Sequence, residues 1–201
     1  MAAIPPLSSV LRSSEEPDSP LAHALSVLFE PSPALLHILT PRLRSDLVLE
    51  SANPPSSYSG LIDRTLTLIS AWGDDAKAGF ISGHPRIGEV KNLSKLSERE
   101  QAAVATPPEV LRRLEHLNAC YERKYPGLRY ITFVNGRTRA QIVPEIEGKL
   151  GIEHSLDGDQ PPLESIAPLV EGSHEWKEEL ERAIADIGLI AKSRLKNLGV
   201  D

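Results

Sequence analysis

Cysteine is almost missing from this chain. The single Cys120 among 201 residues excludes an intrachain disulfide and a zinc centre built mainly of thiolates. One cysteine suits a reducing compartment, so the chain reads as intracellular. Aromatic residues make up only 4%, which is low for a nucleic-acid stacking surface or an all-β core. No run of about 18 apolar residues occurs, so no membrane span is expected. A cationic excess is also lacking. The net charge is −6, and nucleic acid is not an expected partner. Met1 to Pro6 lacks the charged and apolar regions of a secretory signal. Leu198-Gly199-Val200-Asp201 is not the Ser-Lys-Leu peroxisomal address, and a cytoplasmic location is expected. There is no Gly-x-x-x-x-Gly-Lys-Ser/Thr phosphate loop and no Gly-x-Ser-x-Gly nucleophile elbow.

Helical periodicity is present in quantity. Hydrophobic residues are 40% and charged residues 25%, ordinary values for a globular chain long enough to bury a core. Residues 1–18, with Pro5, Pro6, Pro17 and several serines and acids, read as a flexible or loosely draped arm. Residues 19–201 then form one all-α domain. Short helices are expected over Leu21 to Phe29, Pro33 to Leu39 and Leu43 to Leu49. Ser59 to Trp72 carries Leu61, Ile62, Thr65, Leu68, Ile69 and Trp72 at helical spacing. Gly79 to Gly88 reads as a turn, and Ser97 to Ala105 as a short polar helix. Glu109 to Tyr125 places Val110, Leu114, Leu117 and Tyr121 on one stripe.

Tyr130 to Val134 has strand-like composition but no partner strand, so it reads as extended buried backbone. Thr138-Arg139-Ala140-Gln141 forms a capping box for a helix to Leu150, stopped by Gly151, with Pro144 predicting a kink or a late start. Residues 154–171, rich in Pro, Gly and Asp, read as a surface insertion. Ser173 to Leu198 is the longest helix, buried along Leu180, Ile184, Ile187, Ala191 and Leu198.

Three side chains are candidates for chemistry, and each has a plain structural reading beside it. His84 sits in Gly83-His84-Pro85-Arg86-Ile87-Gly88. Pro85 biases it to extended geometry, so a stiff turn presents the imidazole. The plain alternative is an incidental surface histidine. Glu100, in Ser97-Glu98-Arg99-Glu100-Gln101, is a carboxylate for proton chemistry; Ser97-x-x-Glu100 is also a capping box. Arg194 falls at the edge of the last helix's apolar stripe, where it either snorkels to water or meets an anion in a cleft. The other histidines show no ligand spacing. Cys120 has no evident activating partner and reads as core. Two rivals stay open: a noncatalytic helical interaction module, and a metal-assisted hydrolase using His84, His116 and a carboxylate.

Taken together, His-Pro-x-Ile-Gly at 84–88, Ser-x-x-Glu-Gln at 97–101, Tyr130-Ile-Thr-Phe-Val-Asn-Gly-Arg-Thr138 and Ile190-Ala-Lys-Ser-Arg-Leu195 resemble the uric-acid-degradation decarboxylases. These enzymes act on 2-oxo-4-hydroxy-4-carboxy-5-ureidoimidazoline (OHCU). The resemblance covers about residues 20–198, and the 154–171 insertion suggests a fungal branch. It implies an all-helical fold, a homodimer, a small-molecule substrate, the product (S)-allantoin, and no metal or organic cofactor. It also implies that His84, Glu100 and Arg194 are catalytic. Substrate contacts would come from Pro85, from Ser97, Glu98, Arg99 and Gln101, and from backbone at Thr132, Phe133, Val134, Asn135 and Gly136.

Overall fold

The computed structural model describes residues 4–89, 106–155 and 158–200. The helix expected over Ser97–Ala105 lies outside them. Among the described residues the regular elements are all helical: α1 (Leu7–Leu11), α2 (Pro20–Phe29), α3 (Thr40–Leu49), α4 (Tyr58–Ser70), α5 (Asp74–Ile81), α6 (Pro108–Lys124), α7 (Arg139–Leu150) and α8 (His174–Leu198). The chain therefore adopts the all-α class expected of it. None of these helices is long and apolar enough to cross a membrane. Contacts divide the chain into two compact units, Met1–His84 with Ile184–Asp201, and Pro85–Ala183.

In the first unit, α2 starts where Ser19 Oγ accepts from the Ala22 amide and Pro20 fills the first turn. It ends at Glu30, because a residue before proline is driven out of helical geometry and Pro31 follows. A π-helical turn, Leu35–Leu39, runs directly into α3. Pro41 has no N–H to give to the His37 carbonyl, and widening the preceding turn relieves the clash its ring would cause there. The break expected before Leu43 is thus absent. The draped N-terminal arm is held at several points. Val10 of α1 is fully buried, Arg44 Nη1 donates to the Leu11 carbonyl at 3.0 Å, and the Tyr58 hydroxyl donates to the Pro5 carbonyl.

The turn read over Gly79 to Gly88 begins only at Ser82, because α5 runs from Asp74 through Ile81. Asp74 and Asp75 complement the positive end of this helix. Ala78, Phe80 and Ile81 are buried, and that burial outweighs the roughly 1 kcal/mol cost of glycine inside a helix. The unit's core is made by Leu21, Leu25, Leu28 and Phe29 of α2, Leu61, Ile62 and Ile69 of α4, Phe80 of α5, and Ile187, Ala191 and Leu195 of α8.

In the second unit, α6 buries Leu114, Leu117, Cys120 and Tyr121. The capping box of α7 is present in full: Gln141 N donates to Thr138 Oγ1, and Gln141 Oε1 accepts from Thr138 N at 2.8 Å. Gly151 ends the helix at φ 71°, a conformation that favours glycine. Pro144 does not delay the start, since α7 runs unbroken from Arg139. The 154–171 insertion is laid along α6. His116 Nε2 meets the Pro161 carbonyl at 2.8 Å, Arg123 Nε the Ile166 carbonyl at 2.9 Å, and the Leu169 amide donates to the Lys124 carbonyl at 2.8 Å. Side chains of α6 thus satisfy carbonyls that no sheet is there to pair.

Candidate active site

His84 hangs from the C-terminal end of α5. The Gly83 amide donates to Phe80 O and the His84 amide to Ile81 O, at 3.2 and 3.0 Å, so the last turn tightens into i→i−3 bonds. The imidazole is only 3% exposed, which overturns the incidental surface reading. It lies edge-to-face on Phe80, with centroids 5.6 Å apart, and Phe80 in turn contacts Phe29 at 6.0 Å. Gly83 is pressed against Ser32: a Cβ on it would stand 2.5 Å from the serine Cβ. Only a residue without a side chain lets the histidine turn approach the 30–32 segment this closely.

Arg194 reaches the same segment from α8. It is 2% exposed, so it does not snorkel. It meets an anion, and that anion belongs to the chain. Nη2 donates to Glu30 Oε1 at 2.5 Å, while Nη1 donates to the carbonyls of Val27 and Leu28 at 3.3 and 3.2 Å. The guanidinium caps the negative end of α2 and neutralises the acid that follows it. Glu30 is itself 3% exposed and sits at φ 66°, ψ 138°, a positive φ rare for a non-glycine residue. One short stretch thus meets Gly83, the neighbour of His84, at Ser32 and meets Arg194 at Val27, Leu28 and Glu30. The third catalytic candidate, Glu100, lies outside the described residues, as do Ser97, Glu98, Arg99 and Gln101.

Glu30 was missed in the sequence, where Glu30-Pro31 reads only as a helix stop. The available signal is electrostatic. An acid at a helix C-terminus faces the negative end of the dipole, and so needs a cation from elsewhere. Arg194, at the edge of the apolar stripe of α8, is the cation that meets it.

In the second unit, the segment after His84 is anchored to α6 by three side chains spaced four residues apart. Gly88, at φ 84°, closes on Leu114. Asn118 Nδ2 donates to the Ile87 carbonyl at 2.9 Å. Glu122 accepts both Nε and Nη2 of Arg86, at 2.6 and 2.9 Å. The stiffness inferred from Pro85 thus has a tertiary cause as well as a local one.

The Tyr130 to Val134 stretch forms no strand and no helix. Arginines take the place of a partner strand. Arg182 Nη1 donates to Ile131 O at 2.8 Å, and Arg137 Nε to Val134 O at 2.9 Å, with a further contact to Phe133 O. Tyr130 and Ile131 are buried, whereas Thr132, Phe133 and Val134 are half-buried and Asn135 and Gly136 exposed. Burial thus covers only the first part of the expected span. Asn135 and Gly136 have φ of 49° and 78°, the two successive left-handed residues of a tight turn.

The remaining candidates resolve differently. Cys120 Sγ lies 3.3 Å from His116 Nε2. That nitrogen faces the Pro161 carbonyl, so it carries the hydrogen and cannot take the thiol proton. Burial also raises the thiol above its ordinary range, so the pair is no nucleophilic dyad. Among the described residues no three His, Cys, Asp or Glu side chains gather at metal-ligand distance. A cavity of about 450 Å³ in the second unit is lined by Tyr125, Lys149, Glu175, Glu178, Glu179 and Arg182. Both of its cations are already paired with Glu179, which holds Arg182 at 2.7 Å and Lys149 at 2.9 Å. None of the expected site residues lines it.

Comparison with known proteins adds one match. The family model for OHCU decarboxylase matches residues 14–156, and no curated protein matches the chain. The matched span includes His84, Glu100 and the whole 130–138 segment, and ends before Arg194. The span is most of the chain, it holds the buried histidine turn, and the fold around it is helical: this protein belongs to the OHCU decarboxylase family, carboxy-lyases that convert OHCU to (S)-allantoin in urate degradation.

Proposed function

We propose that His84 and Arg194 carry the chemistry of this decarboxylation, with Glu100 as their partner. The substrate bears a carboxylate on a ring carbon that also bears a hydroxyl. When CO2 leaves, the electron pair of the broken C–C bond forms a double bond to the neighbouring ring carbon, whose C=N accepts the displaced electrons. The ring nitrogen that receives those electrons takes up a proton, a second proton added at that neighbour creates the stereocentre, and loss of the hydroxyl proton leaves a carbonyl. The substrate is its own electron sink. The protein has to hold an anion, orient the carboxylate and manage these three proton movements.

Arg194 is assigned to the substrate's carboxylate or a ring oxygen, and His84 to the proton at the hydroxyl or the new C–H bond. Glu100 would fix the imidazole tautomer or bond the ureido group. General acid–base help of this kind is worth on the order of 10²- to 10⁴-fold. The observation that carries the assignment is that the buried His84 follows directly on Gly83, which packs on Ser32, while the buried Arg194 bonds Val27, Leu28 and Glu30 of the same stretch. A histidine withdrawn from water and held by a rigid turn suits proton transfer better than solvent exposure would.

For the second unit, the reading assigns main-chain N–H groups of Thr132 to Gly136 to substrate contacts. The support is that arginine side chains already occupy the Ile131, Phe133 and Val134 carbonyls. The single cysteine favours a reducing compartment such as the cytoplasm, and the family resemblance favours a homodimer working without metal or organic cofactor.

The test is His84→Asn, followed by circular dichroism of allantoin formed from freshly generated OHCU. Turnover should fall by at least 100-fold with the melting temperature held. A near-wild-type rate with optically pure product would show that His84 is not the proton carrier.

A further inference from the structure

We infer that Glu30 is a positioning residue for the reaction, holding the Arg194 guanidinium in the one orientation that receives the substrate anion. The inference rests on the assignment of Arg194 as anion-binding group. Its own support lies in three features of the first unit.

The first is the geometry of the guanidinium. A planar fork with donors on both terminal nitrogens is fixed only when both are held. The α2 carbonyls of Val27 and Leu28 hold Nη1, and Glu30 holds Nη2 at 2.5 Å. Carbonyls alone would let the plane swivel about Nη1. The carboxylate stops that rotation.

The second is backbone conformation. At φ 66° a glycine would sit without strain, whereas a glutamate there is a conformation that persists only when its surroundings impose it. The same residue is 3% exposed. Such a combination of strained backbone and buried charge is characteristic of residues that serve a site rather than a surface. Holding a helix end would need no acid there, because Arg194 already bonds two terminal carbonyls of α2.

The third is charge. Two carbonyl dipoles and one carboxylate surround the cation, so most of its field is cancelled in the resting protein. Glu30 therefore trades some affinity for the substrate anion against a fixed orientation. This yields a kinetic signature that a merely structural residue lacks. Removing the charge strengthens anion binding while loosening the geometry, so KM and kcat fall together. A structural defect instead lowers the active fraction and leaves KM alone.

The experiment uses the full chain with freshly generated OHCU, measuring initial rates of allantoin formation by circular dichroism alongside thermal melts. Glu30→Gln should lower kcat by roughly 10- to 100-fold, the range expected when a catalytic group is misplaced by about 1 Å, and should lower KM several-fold. Glu30→Asp keeps the charge and shortens the arm. It should fold, lose about 10-fold in kcat and show no fall in KM, and it decides the matter if Glu30→Gln does not fold. Wild-type kinetics in both variants, or a kcat loss that only tracks the folded fraction at constant KM, would overturn the inference. Arg194→Lys separates the two levels. If it turns over like wild type, the assignment of Arg194 fails and Glu30 falls with it. If it is impaired while the Glu30 variants are not, only the role of Glu30 fails.

Discussion

Gly83→Ala is the most informative single methyl group that could be added to this protein. The new Cβ would lie 2.5 Å from Ser32 Cβ, 3.0 Å from Ser32 Oγ and 3.3 Å from the Phe80 carbonyl. None of these is the far end of a flexible side chain. Ser32 is 6% exposed and its Oγ accepts from the Leu35 amide at 3.1 Å, so moving it also disturbs the start of the next helical turn. Overpacking of this kind costs about 1–3 kcal/mol. At about 2–4 °C per kcal/mol for a chain of this size, the melting temperature should drop by roughly 2–12 °C. The catalytic effect should be larger than the stability effect, because the adjacent residue is His84. Displacing the imidazole by about 1 Å costs on the order of 100-fold in turnover.

Gly79→Ala is the matched control. Nothing lies within 4 Å of a Cβ there, and the residue is inside α5. Alanine should stabilise that helix by about 0.5–1 kcal/mol. Two identical substitutions four residues apart should therefore shift the melt in opposite directions, with only the Gly83 variant losing activity. A Gly83→Ala protein that melts at or above wild type with unchanged kcat/KM would refute the close packing of the histidine turn on Ser32.

Two further outcomes are expected. Burial holds Tyr58, Tyr125 and Tyr130 at about 12, with Glu179 and Glu175 adding to Tyr125, and raises Tyr121 further with help from Glu179. These are all four tyrosines of the chain. The protonated folded form gives stability that is complete below pH ~10, the ordinary phenol value, and is lost as pH climbs toward about 12. An alkaline titration should show tyrosinate absorbance rising together with loss of helical dichroism; four phenols ionising near pH 10 in a still-folded chain would contradict it.

The second concerns ion pairs. Glu147 Oε1 accepts Nε and Nη2 of Arg113 at 3.0 and 2.7 Å, and the two side chains are 2% and 5% exposed. Glu147→Gln should cost about 3–5 kcal/mol in urea unfolding. Asp63→Asn, at a pair with Lys192 whose side chains are 58% and 42% exposed, should cost under ~1 kcal/mol. Equal shifts would show that burial does not govern these pairs.

What could be read directly from the residues was local. The Thr138–Gln141 capping box, the Gly151 stop and the stripe of α6 each depend on a few neighbouring residues, and each is present. The helix α5 escaped notice because Gly79 breaks its propensity, while the burial of Phe80 and Ile81 that offsets it involves distant partners. The histidine turn was legible as a rigid presenter. Its close approach to Ser32 was not, since a glycine in sequence does not reveal what lies against it. Arg194 showed the same division. Its place in an apolar stripe was periodic and therefore visible; that its anion would be Glu30 required the two chain segments to be brought together in space.

That last pairing bears on how the protein comes into being. Glu30 and Arg194 are 164 residues apart. Closing a flexible loop of that length costs roughly 4.5 kcal/mol in chain entropy, so contacts nearer in sequence close first. At ordinary synthesis rates of about 5–20 residues per second, Glu30 is made roughly 10–30 s before Arg194. Through that interval the end of α2 lacks the guanidinium that bonds Val27 O, Leu28 O and Glu30 in the folded protein. The nascent chain thus cannot complete its first unit until α8 emerges, and the ion pair of Arg194 with Glu30 is among the last contacts of that unit to form.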